Sequence, residues 1–186
     1  MTWKVGLVEG RAELEQILEL QRQNHLAQLT PEQAREQGFV TARHSLESLE
    51  QMHALAPSVV ARAEPGAQIA GYALTMLREA RAYVPILEPM FRLLESLSWR
   101  GSPLESLRYY VMGQICIAEA FRGQGMVPAL YQAHQLHYAE RFELLVTEIS
   151  TRNARSLRAH ERVGFEPLHR YRDNVDEWQI VAWDWR

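Results

Sequence analysis

The sequence predicts an α/β protein built on one mixed β-sheet flanked by helices. Three observations lead there. Apolar residues recur at helical spacing through the first third of the chain, and β-prone runs bounded by turn residues fill the middle. The final part then runs strand, helix, strand, helix, strand, strand. At 186 residues the expectation is one domain spanning 1–186, with an insertion at about 78–108.

Each element has its own signal. Val5 to Val8 reads as a short opening strand, and Leu14, Ile17, Leu18 and Gln21 place one face of a helix over Arg11 to Gln23. Thr30-Pro31-Glu32-Gln33 reads as a helix start: the threonine caps, the proline needs no amide partner at the first position, and Gln33 reaches back. A further helix follows Ser45, with Leu46, Leu49, Met52 or His53, and Leu55 along one side, and ends at Pro57. Ser58 to Ala63 and Ile69 to Leu77 form a hairpin around Glu64-Pro65-Gly66-Ala67.

The segment from Arg78 to Arg108 stands apart. Met90, Leu93, Leu94 and Leu97 have helical spacing between prolines and Gly101, so the segment carries a short amphipathic helix. It either packs on the body of the protein or covers a substrate cleft; spacing does not choose between these. Tyr109 to Ala118 is the clearest strand. A helix over Pro128 to Arg141, a strand over Leu144 to Ser150 and a helix over Asn153 to Val163, stopped by Gly164, come next. Phe165 to Tyr171 and Trp178 to Trp185 close the chain as two strands, and the tryptophans read as sheet packing. The last strand could also carry a homodimer interface, a choice left open.

Composition removes several functions. A net charge of −3 gives no reason to expect nucleic acid or an anionic membrane as partner, although Arg152, Arg155, Arg158 and Arg162 crowd one stretch. A lone cysteine, Cys116, forms no intrachain disulfide and suits a reducing compartment. The N-terminus soon becomes charged and does not read as a signal peptide, and no apolar run reaches bilayer length, so the expected location is cytoplasmic. His134 and His137 lie three apart, but nothing nearby completes a ligand set, so they read as core or surface residues and no metal is expected.

Arg122-Gly123-Gln124-Gly125-Met126-Val127 lies between a strand and a helix. Small residues let backbone amides approach a ligand, and the helix start adds unpaired donors, which suits a pyrophosphate. The glycine spacing is neither the dinucleotide fingerprint nor a P-loop. Taken alone, the run also fits a plain strand-to-helix turn that uses glycine for positive φ. Further on comes Asn153-Ala-Arg-Ser156-Leu-Arg-Ala-His160-Glu-Arg-Val-Gly164-Phe165.

Together the two stretches resemble the signature of the GNAT superfamily of N-acetyltransferases. Its coenzyme loop reads Gln/Arg-x-x-Gly-x-Gly/Ala, matched by Arg122 and Gly125, and its second stretch is matched by Asn153, Ser156, Gly164 and Phe165. The resemblance covers about Tyr109 to Trp185. Val127 stands where the loop has a small residue, and Pro128 follows it; a valine narrows the approach to the phosphates and a proline removes one amide donor.

The resemblance implies a mainly antiparallel sheet of about six to seven strands, with the helical insertion between the third and fourth. It implies acetyl-coenzyme A as co-substrate and a primary amine, on a small molecule or a peptide, as acceptor. Gly113 to Ala118 would splay from Leu144 to Ser150, and the backbone of Ile115, Cys116 and Ile117 would pair with pantetheine. Arg122, Gly123, Gln124, Gly125, Met126 and Val127 would hold the diphosphate, Asn153 would bond to the coenzyme arm, and Ser156 would leave room for it. Glu148 is the candidate base for the acceptor ammonium, or else a strand carboxylate paired elsewhere. His160 stands where many members have a tyrosine acid, and either assists the departing thiolate or only packs against the coenzyme. Tyr109 or Tyr110 would line the acceptor site beside the insertion. Cys116 reads as a buried strand cysteine, not an acylated nucleophile. The competing reading is a coenzyme-A-binding sensor that kept the fold and lost turnover, with Val127, Pro128 and His160 as the features that favour it.

Overall fold

A computed structural model describes residues 2–186. Strand β1 (Thr2–Leu7) leads into helix α1 (Arg11–Asn24), α2 (Pro31–Gln37) and α3 (Leu46–Leu55). Both short helices start on capping boxes. Thr30 Oγ1 accepts from the Gln33 amide while the Gln33 side chain accepts from the Thr30 amide, and Ser45 and Ser48 do the same for α3. Strands β2 (Val59–Glu64) and β3 (Ile69–Met76) form the expected hairpin. The segment that follows contains 3₁₀ turns, helix α4 (Glu88–Ser96) and a two-residue hairpin, β4 (Ser98–Trp99) with β5 (Ser102–Pro103). After it come β6 (Tyr109–Ile117), α5 (Met126–Tyr138), β7 (Leu144–Ser150), α6 (Ala154–Val163), β8 (Glu166–Arg172) and β9 (Glu177–Asp184).

Seven of these strands form one sheet in the order β1-β2-β3-β6-β7-β9-β8. Every neighbouring pair is antiparallel except β6 with β7. The mixed, mainly antiparallel sheet and the helical segment between its third and fourth strands are therefore present. Strand alternation divides the apolar residues between two faces. Tyr72, Leu74, Leu144 and Val146 pack with Ile17 of α1, Leu49 of α3 and Leu94 of α4. On the other face, Ala73, Tyr110 and Leu145 pack with Leu130 and Tyr131 of α5 and with Phe165. Fully burying each large apolar side chain contributes about 1.5–3 kcal/mol, before the cost of ordering it.

Two boundaries differ from expectation for a physical reason. Helix α5 begins at Met126 instead of Pro128, so Pro128 occupies the first turn, where no amide has an intrahelical partner and the missing N–H breaks no bond. Strand β1 begins at Thr2, before Val5, because Thr2, Trp3 and Lys4 pair with Glu64, Ala63 and Arg62 at the sheet edge. Thr2 and Lys4 are polar, and the single apolar Trp3 between them makes too short a pattern to read as a strand.

Candidate active site

The sheet opens at its centre. β6 and β7 pair only through Tyr109–Leu144, Tyr110–Leu145 and Val111–Val146. Beyond them β6 carries a bulge: Ala73 faces Ile115 and Thr75 faces Met112, so β6 has one extra residue there, around Gly113 and Gln114. A bulge bends its strand and raises its twist, which turns the end of β6 away from β7. Thr147 Oγ1 donates to the Met112 carbonyl at 2.9 Å and closes the base of the gap. The splaying of Gly113–Ala118 from β7 is thus built into the strand.

Alternation decides which backbone groups of β6 face the gap. The Ala118 amide donates to Ala70 at 2.8 Å, which turns Ala118 toward β3, and with it Cys116, two residues back. The backbone groups of Ile115 and Ile117 then point away from β3, and the Ile117 carbonyl accepts from Arg122 Nε at 3.1 Å. Open strand-pairing groups are those of Ile115 and the Ile117 amide, while those of Cys116 are directed into the sheet. The Cys116 side chain is buried and its thiol is pushed up to about 12 by loss of solvent, so it stays protonated.

The glycine turn lies at the mouth of the gap. Gly123 and Gly125 adopt φ of 76° and 77°, values that a side chain disfavours. A Cβ at either would meet nothing within 4 Å, so the space before the turn is open. Among the described residues, the amides of Gly123, Gln124, Gly125, Met126 and Val127 donate to no other group of the chain. Five donors therefore converge at the positive end of α5. Pro128 subtracts one amide beyond this set. Val127 is half-buried and packs toward the core beneath the helix while still reaching the cavity wall.

Arg122 has a different environment from its neighbours. Its guanidinium donates to Ile117, to Gln37 Oε1 at 2.8 Å and to Asn24 Oδ1, tying the turn to α1 and α2, and half-burial lowers its pKa. Gln124 is exposed, and its side chain donates to the Ala120 carbonyl.

A cavity of about 560 Å³ runs from this turn along the gap, between β6 and α6, under Gly38, Phe39 and Val40. Asn153, at the start of α6, holds that cover down: Nδ2 donates to the Phe39 carbonyl at 3.0 Å, and Oδ1 accepts from the Ser156 amide at 3.1 Å. Arg155, Arg158 and Arg162 line the same cavity from α6. Arg155 donates to the Glu36 carbonyl, whereas Arg158 and Arg162 are exposed and, among the described residues, have no carboxylate partner. Arg152, the fourth of the group, pairs with Asp176 and lies outside it.

A smaller space of about 80 Å³ continues inward, sharing Ile115, Ser156 and His160 with the large cavity. Glu148 lines it. Burial, the larger cause, raises this carboxyl to about 7, with Asp173 adding to the rise and the hydrogen bond from the Tyr171 hydroxyl opposing it. Leu87 and Met90 enter the wall from the segment between β3 and β6. Met90, Phe91 and Leu94 of α4 are buried, so that segment both packs on the body and closes the cleft.

His160 is buried between both spaces. Its Nδ1 lies 2.8 Å from the Ser156 carbonyl, which only accepts, so the ring proton sits on Nδ1. Nε2 then accepts from the Tyr131 hydroxyl at 2.6 Å. Burial lowers the imidazole to about 4, leaving it neutral near pH 7. With its one ring proton already given to Ser156, it has none for a thiolate. Tyr109 and Tyr110 do not line the smaller space. Tyr110 is fully buried against His134, and Tyr109 lies beneath Arg78. His134 bonds to Tyr110 and to the Ala73 carbonyl within the core. Among the described residues, no group of three or more His, Cys, Asp or Glu is placed to hold a metal, and no helix is long and apolar enough to cross a membrane.

No family model and no curated protein sequence matches the chain. Solved structures do. The structure of the NatC complex bound to Gag peptide and CoA superposes with a TM-score of 0.67 at 14% identity, covering 99% of each chain. The ribosomal-protein-S18-alanine N-acetyltransferase from Escherichia coli gives 0.65 at 13% identity, over 98% of this chain and 94% of that one. An acetyltransferase of the GNAT family from Streptococcus agalactiae gives 0.66 at 13%, over 98% and 95%. The chain has the GNAT acetyltransferase fold. Within that fold, the bulged and splayed pair β6 and β7, the glycine turn and the start of α6 converge on a single cleft.

Proposed function

We propose that the chain transfers the acetyl group of acetyl-CoA to a primary amine, with both substrates bound together and no acyl-enzyme. One observation carries this reading: five unengaged amides at a helix start stand at the mouth of a gap in the sheet, and that gap leads to a buried carboxylate. The amides of residues 123–127 suit a diphosphate. Arg158 and Arg162 add unpaired positive charge at the same cavity, and Ile115 and Ile117 offer strand-like pairing to the pantetheine amides. The similarity to CoA-bound NatC supports the same donor.

Chemistry follows from the inner space. An alkylammonium has a pKa near ~10 and must lose a proton before it attacks. Glu148, held near 7, ionises at working pH and takes that proton. The nitrogen then attacks the thioester carbon, and an outward-facing β6 amide stabilises the oxyanion. Collapse expels the thiolate, which regains a proton from the nitrogen it leaves or from water, since His160 has none to give. Cys116, protonated and buried, is no acyl carrier.

Release of CoA across a panel of amines tests the reading. Amine-dependent release, lowered ~10²–10⁴-fold in Glu148→Gln with acetyl-CoA binding retained, is the expected result. Binding of acetyl-CoA without release to any amine would instead mark a sensor that keeps the fold and lacks turnover.

A further inference from the structure

The inner space restricts what can deliver the nitrogen, an inference that rests on the transferase reading above. We infer that the acceptor is an apolar amine whose α-carbon carries no ionised carboxylate, as in an alkylamine or a peptide-like N-terminus, and that free α-amino acids are excluded.

The first reason is charge. No arginine or lysine lines the inner space. The positive side chains of the site sit at the other end, around the large cavity: Arg155, Arg158 and Arg162 on α6 and Arg122 at the glycine turn. Arg81 and Arg92, the cations on either side of Leu87 and Met90 in the sequence, are both held by Glu88, and Arg81 also by Glu95. The charged group that does line the space is the Glu148 carboxylate, with Asp173 close enough to act on it. An amino acid whose nitrogen reached Glu148 would carry its own carboxylate within a few ångströms of that group. Both like-charge repulsion and unpaired desolvation oppose this.

The second reason is that most of the neutral polar side chains are already engaged. Gln114 accepts from the Tyr72 hydroxyl at 2.6 Å and donates to the Ala42 carbonyl at 2.9 Å. Thr147 donates to Met112, Ser150 donates to Asp176, and Asn153 caps α6 while holding Phe39. What remains on this wall is the Trp178 indole N–H and the Thr41 hydroxyl, two neutral donors with no cation beside them, weaker partners for a carboxylate than a charged group. The remaining wall is apolar, with Leu87, Met90, Met112 and Ile149 facing the space. At about 80 Å³ it takes a short aliphatic group beside the amine, and the rest of a longer acceptor must lie outside it.

The test uses the full chain with acetyl-CoA and three acceptors that share one side chain: L-leucine, L-leucinamide and 3-methylbutylamine, which is leucine without its carboxylate. The inference expects kcat/KM for 3-methylbutylamine to exceed that for leucine by ~10²-fold or more. The alkylamine is the more basic of the pair, so proton loss alone would favour leucine. Compared per unprotonated amine, leucinamide should also exceed leucine, and on the same basis the order of leucinamide and 3-methylbutylamine separates a peptide-like N-terminus from a simple amine. In Leu87→Arg, which places a cation at the wall, leucine should gain relative to 3-methylbutylamine. Leucine turning over as well as the other two in the unmodified protein overturns the inference while leaving the transferase reading intact. Acetyl-CoA binding with no release to these three or to any amine of the wider panel sinks the transferase reading and this inference with it.

Discussion

Glu148 and Tyr171 illustrate how a single contact tunes chemistry. The tyrosine hydroxyl favours the ionised carboxylate, against burial that disfavours it. Removing the hydroxyl in Tyr171→Phe should therefore move the lower limb of the kcat/KM pH profile to higher pH, with acetyl-CoA affinity unchanged; a limb that stays in place would separate Glu148 from the rate. His160 behaves oppositely, since its one ring proton is committed to the Ser156 carbonyl. Tyr131→Phe would leave Nε2 buried without a donor and should lower stability by about 1–3 kcal/mol in denaturant unfolding, without adding a limb to the pH profile. Glu148 was a candidate in the sequence, and it lines the inner space. Tyr131 and Tyr171 were not, because they reach their partners from 29 and 23 residues away and neither lies in a motif.

Helix α6 contributes both its start and its exposed face to the site. Asn153 holds the Phe39 cover, and Arg158 and Arg162, one turn apart, face the large cavity. Replacing both arginines with alanine should weaken acetyl-CoA binding and flatten its dependence on salt, as measured by calorimetry across ionic strengths. Equal affinity and equal salt slope would show that these cations do not meet the donor. The basic stretch was readable in the sequence, but the division of labour within it was not: Arg152 turns to Asp176 while its neighbours turn to the cavity. Helix starts at Thr30, Ser45 and Asn153 were legible because each is a local capping event. The bulge in β6 had a weaker signal, a glycine within a strand pattern, Gly113. The cover formed by residues 38–42 had none, since its position depends on tertiary bonds to Asn153 and Gln114.

The two faces of the sheet share the cost of burying ionisable groups. His44, His134 and His160 are each lowered to about 4 by burial, below the value of an unfolded chain. They must take up protons on unfolding, so the stability they contribute is present above pH 6.5 and is lost as pH falls toward 4. Glu148, raised to about 7, acts in the opposite sense: between about 4.5 and 7 it releases a proton on unfolding. From pH 6.5 to 4.5 the balance is a net uptake of about two protons, so stability should fall by roughly 2–3 kcal/mol per pH unit. Urea unfolding at a series of pH values measures that slope, and a flat profile would contradict the buried, neutral state of these rings. The sequence carried the order of elements through local pattern, and the two motifs, through the resemblance they support, carried the expectation of about six to seven strands. Which side chains close the cleft depended on packing across the sheet.

The central claim is that the amides of residues 123–127 grip the diphosphate of acetyl-CoA. Backbone amide exchange at these positions, followed by NMR with and without acetyl-CoA, tests it most directly. The account predicts that exchange at Gly123, Gln124, Gly125, Met126 and Val127 slows on addition of the donor, together with that at Ile115 and Ile117. Binding of the donor with exchange at the turn unchanged would contradict it.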